Sequence, residues 1–219
     1  MIKICGLSTP DTLDAALEVG ADMVGFVRFP RSPRHVDLEV GRTLSGLARG
    51  RAERVLLVVD LTDGELDAAM AAIEPDLVQL HGNETPDQVA SIRRRTGRPV
   101  MKAVGIGGRD DLERLGEYAT VADRLLLDAK PPPGAALPGG NGRSFDWSLL
   151  ADLDPRLEVM LSGGLNPANV AEAVAQTGIR AVDVSSGVET RPGEKDPERI
   201  EAFVRAARAA LARQDRTAS

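Results

Sequence analysis

The chain has 219 residues, 42% of them hydrophobic and 27% charged, with a formal net charge of −6. That length suits one large α/β unit, and the acidic balance excludes a nucleic-acid backbone as main partner, because phosphodiester chains want a basic face. A single cysteine excludes an internal disulfide and points to a reducing compartment, and no apolar run approaches the ~20 residues of a membrane helix. Met1-Ile2-Lys3-Ile4-Cys5 enters an apolar run at once, so neither a cleavable leader nor a membrane partner is expected, and the expected location is cytoplasmic.

Short apolar runs then alternate with longer amphipathic ones. Strands are predicted at 2–5, 23–27, 55–59, 77–80, 100–104, 124–128, 158–161 and 181–185. Helices are predicted at 12–19, 38–48, 65–73, 86–95, 111–118, 168–176 and 197–212. Pro10, Pro86, Pro167 and Pro197 stand where a first helical turn would begin, a position that tolerates proline. The repeated strand-then-helix pattern predicts a single (β/α)8 barrel of eight parallel strands over residues 1–219. A doubly wound open sheet, the main alternative, usually has fewer strands.

Strand parity locates the chemistry. The outward face of a barrel strand packs on helices, so polar residues within strands are expected to point inward. Lys3 and Cys5 share one parity, as do Gln79 and His81, and Asp183 and Ser185; Lys102 lies inside the fifth strand and Asp128 ends the sixth. Most of these lie near C-terminal strand ends, where barrel active sites are built.

A lone cysteine is more often a small buried hydrophobe than a catalyst. Cys5, however, ends a strand at the barrel mouth, where Lys3 is expected to ease it towards thiolate. Asp128 is followed by Ala129-Lys130-Pro131-Pro132-Pro133, which cannot begin an ordinary helix interior, so a capping role fails. It roots a long loop, 129–146, whose Gly139-Gly140-Asn141-Gly142-Arg143 reads as a lid. Ser162-Gly163-Gly164 and Ser185-Ser186-Gly187 follow strands 7 and 8, where backbone amides of many barrels hold a phosphate. Gly105-Ile106-Gly107-Gly108 reads as a turn. Arg34, on the loop after strand 2, can hold a ligand carboxylate through paired hydrogen bonds, although loop arginines are usually solvated. His81 reads as a wall residue or a structural hydrogen-bonder. With two histidines in the chain, His35 and His81, no zinc site is expected.

These segments together resemble the phosphoribosylanthranilate isomerases from end to end. The resemblance rests on Lys3-Ile4-Cys5-Gly6-Leu7, Gly25-Phe26-Val27 with Ser32-Pro33-Arg34, Val78-Gln79-Leu80-His81-Gly82-Asn83-Glu84 and Leu127-Asp128. Gly139 to Trp147, Gly163-Gly164-Leu165-Asn166-Pro167, Val182 to Glu189 and Gly193-Glu194-Lys195-Asp196 complete it. Arg143 stands where the family's lid usually has lysine, and Leu57-Val58-Val59-Asp60 is a looser version of the third-strand pattern. The resemblance implies a TIM-barrel enzyme of tryptophan biosynthesis that performs an Amadori rearrangement of N-(5-phosphoribosyl)anthranilate. It implies Asp128 as general acid, Cys5 as general base and Arg34 on the anthranilate carboxylate, with the phosphate at Gly163, Gly164, Ser186 and Gly187. His81 and Asp183 become further substrate-contact candidates, Asp183 either on a sugar hydroxyl or paired with Lys3. No cofactor or metal is expected, and the partner is a small phosphorylated aminosugar, bound by a monomer or homodimer.

Three rival readings stay open from sequence. A related isomerase of histidine biosynthesis would carry aspartate at the end of strand 1, where this chain has Cys5. A pentose-phosphate epimerase would want several histidines for metal. A barrel that only binds would not need Cys5, Asp128 and Arg34 together.

Overall fold

The structure, a computed structural model, describes residues 1–131, 134, 137–140, 142, 144–151 and 153–217, with side chains described as far as residue 214. Eight parallel strands close into a barrel in chain order. They are β1 (Ile2–Cys5), β2 (Met23–Arg28), β3 (Glu53–Val58), β4 (Leu77–Leu80), β5 (Val100–Ile106), β6 (Arg124–Ala129), β7 (Val159–Leu161) and β8 (Val182–Val184). The barrel closes through β8 against β1, which sets Lys3 beside Asp183.

Side chains alternate between two faces along each strand. Met23, Val55, Leu77, Met101, Leu126 and Met160 fill the barrel interior below the mouth. Val24, Phe26, Leu56, Val78, Leu125 and Val182 face out into the layer covered by helices. Those helices are α1 (Pro10–Glu18), α2 (Leu38–Ala48), α3 (Asp63–Ile73), α4 (Pro86–Thr96), α5 (Arg109–Glu113), α6 (Leu115–Ala119), α7 (Val170–Thr177) and α8 (Pro197–Thr217). Two start with full capping boxes, Thr62 with Glu65 and Thr85 with Gln88, which satisfy amides a first turn leaves unpaired.

Several expectations need correction. Lys102 does not face the interior. It stands in register with Leu80 and Leu125 on the outward face, and its ammonium reaches Glu84 Oε2 at 2.7 Å and the Gly82 carbonyl at 2.7 Å. A long side chain can leave an outward position and still meet a buried carboxylate at the strand end, which parity alone does not reveal. Pro167 precedes α7 by a turn: Asn169 is the cap, and Asn166 Oδ1 accepts from the amides of Ala168 and Asn169. The helix expected at 111–118 is two short ones, with Asp111 accepting from the amides of Gly107 and Gly108. Between β6 and β7 the described chain makes a 3-10 turn, Trp147–Leu150. After β8 comes a hairpin of β9 (Glu189–Arg191) and β10 (Glu194–Lys195). Its charged residues give no apolar pattern to announce it. Of the expected lid and its root, Pro132, Pro133, Asn141 and Arg143 lie outside the described residues.

Candidate active site

The C-terminal strand ends surround a cavity that opens to solvent. Cys5, Arg34, His81, Asp128, Asp183, Gly163, Gly164 and Ser186 all line it. Gly187 does not, and is the middle residue of the turn that Ser186 begins.

Cys5 ends β1 at the cavity and belongs to an apolar cluster with Val27, Phe29, Leu57 and Val59, against which Leu137 packs. Below it, the fully buried Lys3 donates to Asp183 Oδ1 at 2.7 Å, while Ser162 Oγ donates to Asp183 Oδ2 at 2.9 Å. Burial opposes the Lys3 charge, but Asp183 and Cys5 outweigh it and its pKa lies above the ordinary value. For Cys5, burial pushes the thiol above its ordinary value; Lys3 pulls it down and Asp183 pushes it back up. Lys3 thus pulls in the expected direction, but the expected outcome, a thiol eased towards thiolate, is corrected because burial outweighs it. The ammonium is already engaged by a carboxylate, and a thiolate so deeply buried loses its hydration.

Asp128 faces the cavity from β6, separated from β1 around the barrel by β7 and β8. Its Oδ1 accepts from the Ala129 amide at 2.8 Å and its Oδ2 lies 3.2 Å from His81 Nε2. On the far side of that ring, His81 Nδ1 lies 3.0 Å from Gln79 Nε2. Gln79 is fully buried, and its Oε1 has no partner among the described residues. If the Gln79 amide donates to Nδ1, the ring proton sits on Nε2 and faces Asp128. If Gln79 Oε1 turns to accept from Nδ1–H, Nε2 becomes the acceptor. The chain of three thus accommodates either imidazole tautomer.

Arg34 is buried at the rim of the cavity. Its Nε donates to Glu189 Oε1 at 2.7 Å and its Nη2 to Glu189 Oε2 at 2.8 Å, with a longer contact from Nη2 to the Gly140 carbonyl at 3.4 Å. Nη1 has no hydrogen-bond partner among the described residues. One edge of the guanidinium is spent on the protein and the other remains for a ligand.

The two glycine turns follow β7 and β8. Gly163 adopts φ +83°, and a Cβ there would stand 2.6 Å from the Ala129 nitrogen. At Gly187 a Cβ would run into the Leu165 carbonyl. Glycine at 163 lets its turn lie against the end of β6, and glycine at 187 lets the two turns close on each other. The amides of Gly163 and Gly164 donate to no protein acceptor among the described residues, so they are available to an anion.

Sequence reasoning missed Glu189 as the partner of Arg34 and Ser162 as the partner of Asp183. Both were quoted inside motifs, yet their partners lie 155 and 21 residues away, beyond any local pattern. Among the described residues, no group of three His, Cys, Asp or Glu is arranged to hold a metal ion.

Comparison with known proteins gives a consistent result. The family model for N-(5'phosphoribosyl)anthranilate (PRA) isomerase matches residues 2–206. The N-(5'-phosphoribosyl)anthranilate isomerase of Azorhizobium caulinodans is 62% identical over 211 residues, covering 96% of this chain and 92% of the relative. The phosphoribosyl anthranilate isomerase of Thermotoga maritima superposes with a TM-score of 0.85 at 36% identity, covering 95% of this chain and 98% of that one. A phosphoribosyl anthranilate isomerase solved with reduced 1-(o-carboxyphenylamino)-1-deoxyribulose 5-phosphate gives 0.82 at 35% identity, with the same coverage.

Proposed function

The chain belongs to the N-(5'-phosphoribosyl)anthranilate isomerase family and is an isomerase of tryptophan biosynthesis, and from that premise we propose that Asp128 is its general acid and Cys5 its general base. The observation that carries this reading is an arrangement. An acid and a thiol face one cavity from different sides, between a half-free arginine and a pair of amide turns.

The substrate is N-(5-phosphoribosyl)anthranilate, an aminosugar with an anion at each end. Its phosphate binds at the amides of Gly163, Gly164, Ser186 and Gly187, and its carboxylate takes the free edge of Arg34. The aromatic ring then lies on Val27, Leu57 and Val59, beside Cys5. Asp128 gives a proton to the furanose ring oxygen as the C1–O bond breaks, and the amine lone pair forms a protonated imine at C1. Cys5, as thiolate, takes the C2 proton, and the C2–H electrons flow into a C1–C2 double bond as the imine nitrogen is neutralised. Protonation at C1 and loss of the hydroxyl proton at C2 complete the aminoketone.

The electron sink is drawn from the substrate, so these steps call for neither cofactor nor metal. The positive imine also adds a cation near Cys5 that, unlike Lys3, is not already paired with a carboxylate, and so favours thiolate when it is needed. His81 joins Asp128 to Gln79, whose amide orients the imidazole, and Asp183 holds Lys3 under Cys5. We take residues 1–219 as one domain, working in the cytoplasm as a monomer or homodimer.

Asp128→Asn tests the assignment. The amide keeps the shape but cannot release a proton, so kcat is expected to fall by about 10²–10⁴-fold. Affinity for the product, measured by calorimetry, is expected to stay near wild type. Parallel collapse of rate and product binding would make Asp128 a ligand-holding residue instead.

A further inference from the structure

Two buried charges on the β9–β10 hairpin take no part in the scheme above. Glu189 Oε1 accepts from Arg34 Nε at 2.7 Å and from Lys195 Nζ at 2.6 Å, and Oε2 accepts from Arg34 Nη2 at 2.8 Å and the Gly193 amide at 3.2 Å. Lys195 Nζ also donates to the Ser185 carbonyl at 3.0 Å and lies 3.3 Å from the Ser185 hydroxyl. The side chains of Lys195 and Glu189 are 1% and 3% exposed. Lys195 does not line the cavity, whereas Ser185 and Arg34 do.

The arrangement has a geometric and an electrostatic consequence. Glu189 grips the Nε edge of Arg34 at two points, so the guanidinium cannot turn and presents its Nη1 side to the cavity. By itself, though, Glu189 would also cancel the Arg34 charge. An anion arriving at a neutral pair gains little. Lys195 alters that balance, since one carboxylate between two cations leaves the cluster with a net positive charge. Holding an ammonium this deep is costly, and burial does lower its pKa, against the pull of Glu189. Glu189 is already satisfied by Arg34 and Gly193, so pairing alone does not explain a second buried cation.

We propose that Glu189 and Lys195 are positioning residues for carboxylate recognition, Glu189 fixing the edge that Arg34 offers and Lys195 restoring the positive charge that Glu189 would cancel. The proposal rests on the reading of Arg34 as the carboxylate holder. It makes selectivity for an acid-bearing aromatic ring depend on a lysine that never touches the ligand.

The test uses two ligands with the same phosphate: reduced 1-(o-carboxyphenylamino)-1-deoxyribulose 5-phosphate and its phenyl counterpart without the carboxylate. The ratio of their affinities is the carboxylate selectivity of the site. Lys195→Gln keeps a donor for Ser185 but removes the charge. It is expected to lower the selectivity about tenfold, the scale of one buried unit charge a few ångströms away. The phenyl ligand's affinity is expected to stay unchanged. Lys195→Met should lower the ratio alike. Wild-type selectivity in a folded Lys195→Gln or Lys195→Met variant, or equal loss for both ligands, would overturn the proposal. If Arg34→Met itself retained wild-type selectivity, the reading of Arg34 would fall instead, and the two failures are told apart.

Discussion

At the scale of single residues, the thiol of Cys5 is governed by burial, by a lysine already committed to Asp183, and by an apolar cluster around it. Burial and the apolar surroundings favour the protonated form at rest, and they outweigh the opposite pull of the lysine. Iodoacetamide is therefore expected to label Cys5 more slowly at neutral pH than it labels an ordinary free thiol, and the rate should keep climbing above pH 9.0, the ordinary value. Bound product should slow labelling further by filling the cavity. Fast labelling at neutral pH would show that Lys3 controls the thiol after all. The same shift affects stability: the unfolded chain releases this proton first as pH rises, so the group subtracts stability above about that value. Arg34→Met is expected to weaken binding of the carboxylate-bearing product by roughly 1.5–3 kcal/mol while sparing ribose 5-phosphate, measured by titration calorimetry. The sequence showed that Lys3 and Cys5 share a face. It could not show that Asp183, 180 positions later, uses up the charge of Lys3.

At the scale of elements, the outward turn of Lys102 in β5 separates stability from catalysis. With Glu84 it forms a pair whose side chains are 3% and 5% exposed. Glu84 also accepts from the amides of Asp60 and Gly82, tying the loop after β3 to the loop after β4. Lys102→Met leaves that carboxylate buried without its cation, and chemical denaturation is expected to report a loss of about 3–5 kcal/mol. The kcat of the folded fraction should be unchanged, because the side chain lies outside the barrel; a fall in kcat matching the stability loss would argue that β5 points it inward. The turns after β7 and β8 behave differently. Gly187→Ala forces a methyl group against the Leu165 backbone carbonyl, so affinity for ribose 5-phosphate and Tm are both expected to drop. Strand positions were legible because barrel strands read as short apolar runs. The hairpin after β8 was not, since two charged strands of three and two residues carry no hydrophobic period.

At the scale of the whole molecule, a chain of net charge −6 binds a substrate with two anionic ends by concentrating positive character at one rim of the barrel. Arg34, Lys195 and unpaired amides converge there, while most other basic side chains pair with acids on the outer surface. Among the described residues no helix is long and apolar enough to cross a membrane. The closed parallel barrel follows from the strand-then-helix alternation, and Cys5, Asp128 and the glycine turns follow from their places at strand ends. What sequence left hidden were the partners that set the electrostatics of these groups, because a barrel brings the start and the end of the chain side by side. The central claim is that a buried thiol at the end of β1 removes the C2 proton of a phosphorylated aminosugar. The direct test is to follow conversion of N-(5-phosphoribosyl)anthranilate by fluorescence with wild-type and Cys5→Ser proteins of equal thermal stability. The account predicts turnover by the wild type and a kcat about 10²–10⁴-fold lower in the variant, with KM little changed. A folded Cys5→Ser variant with near wild-type kcat would contradict it.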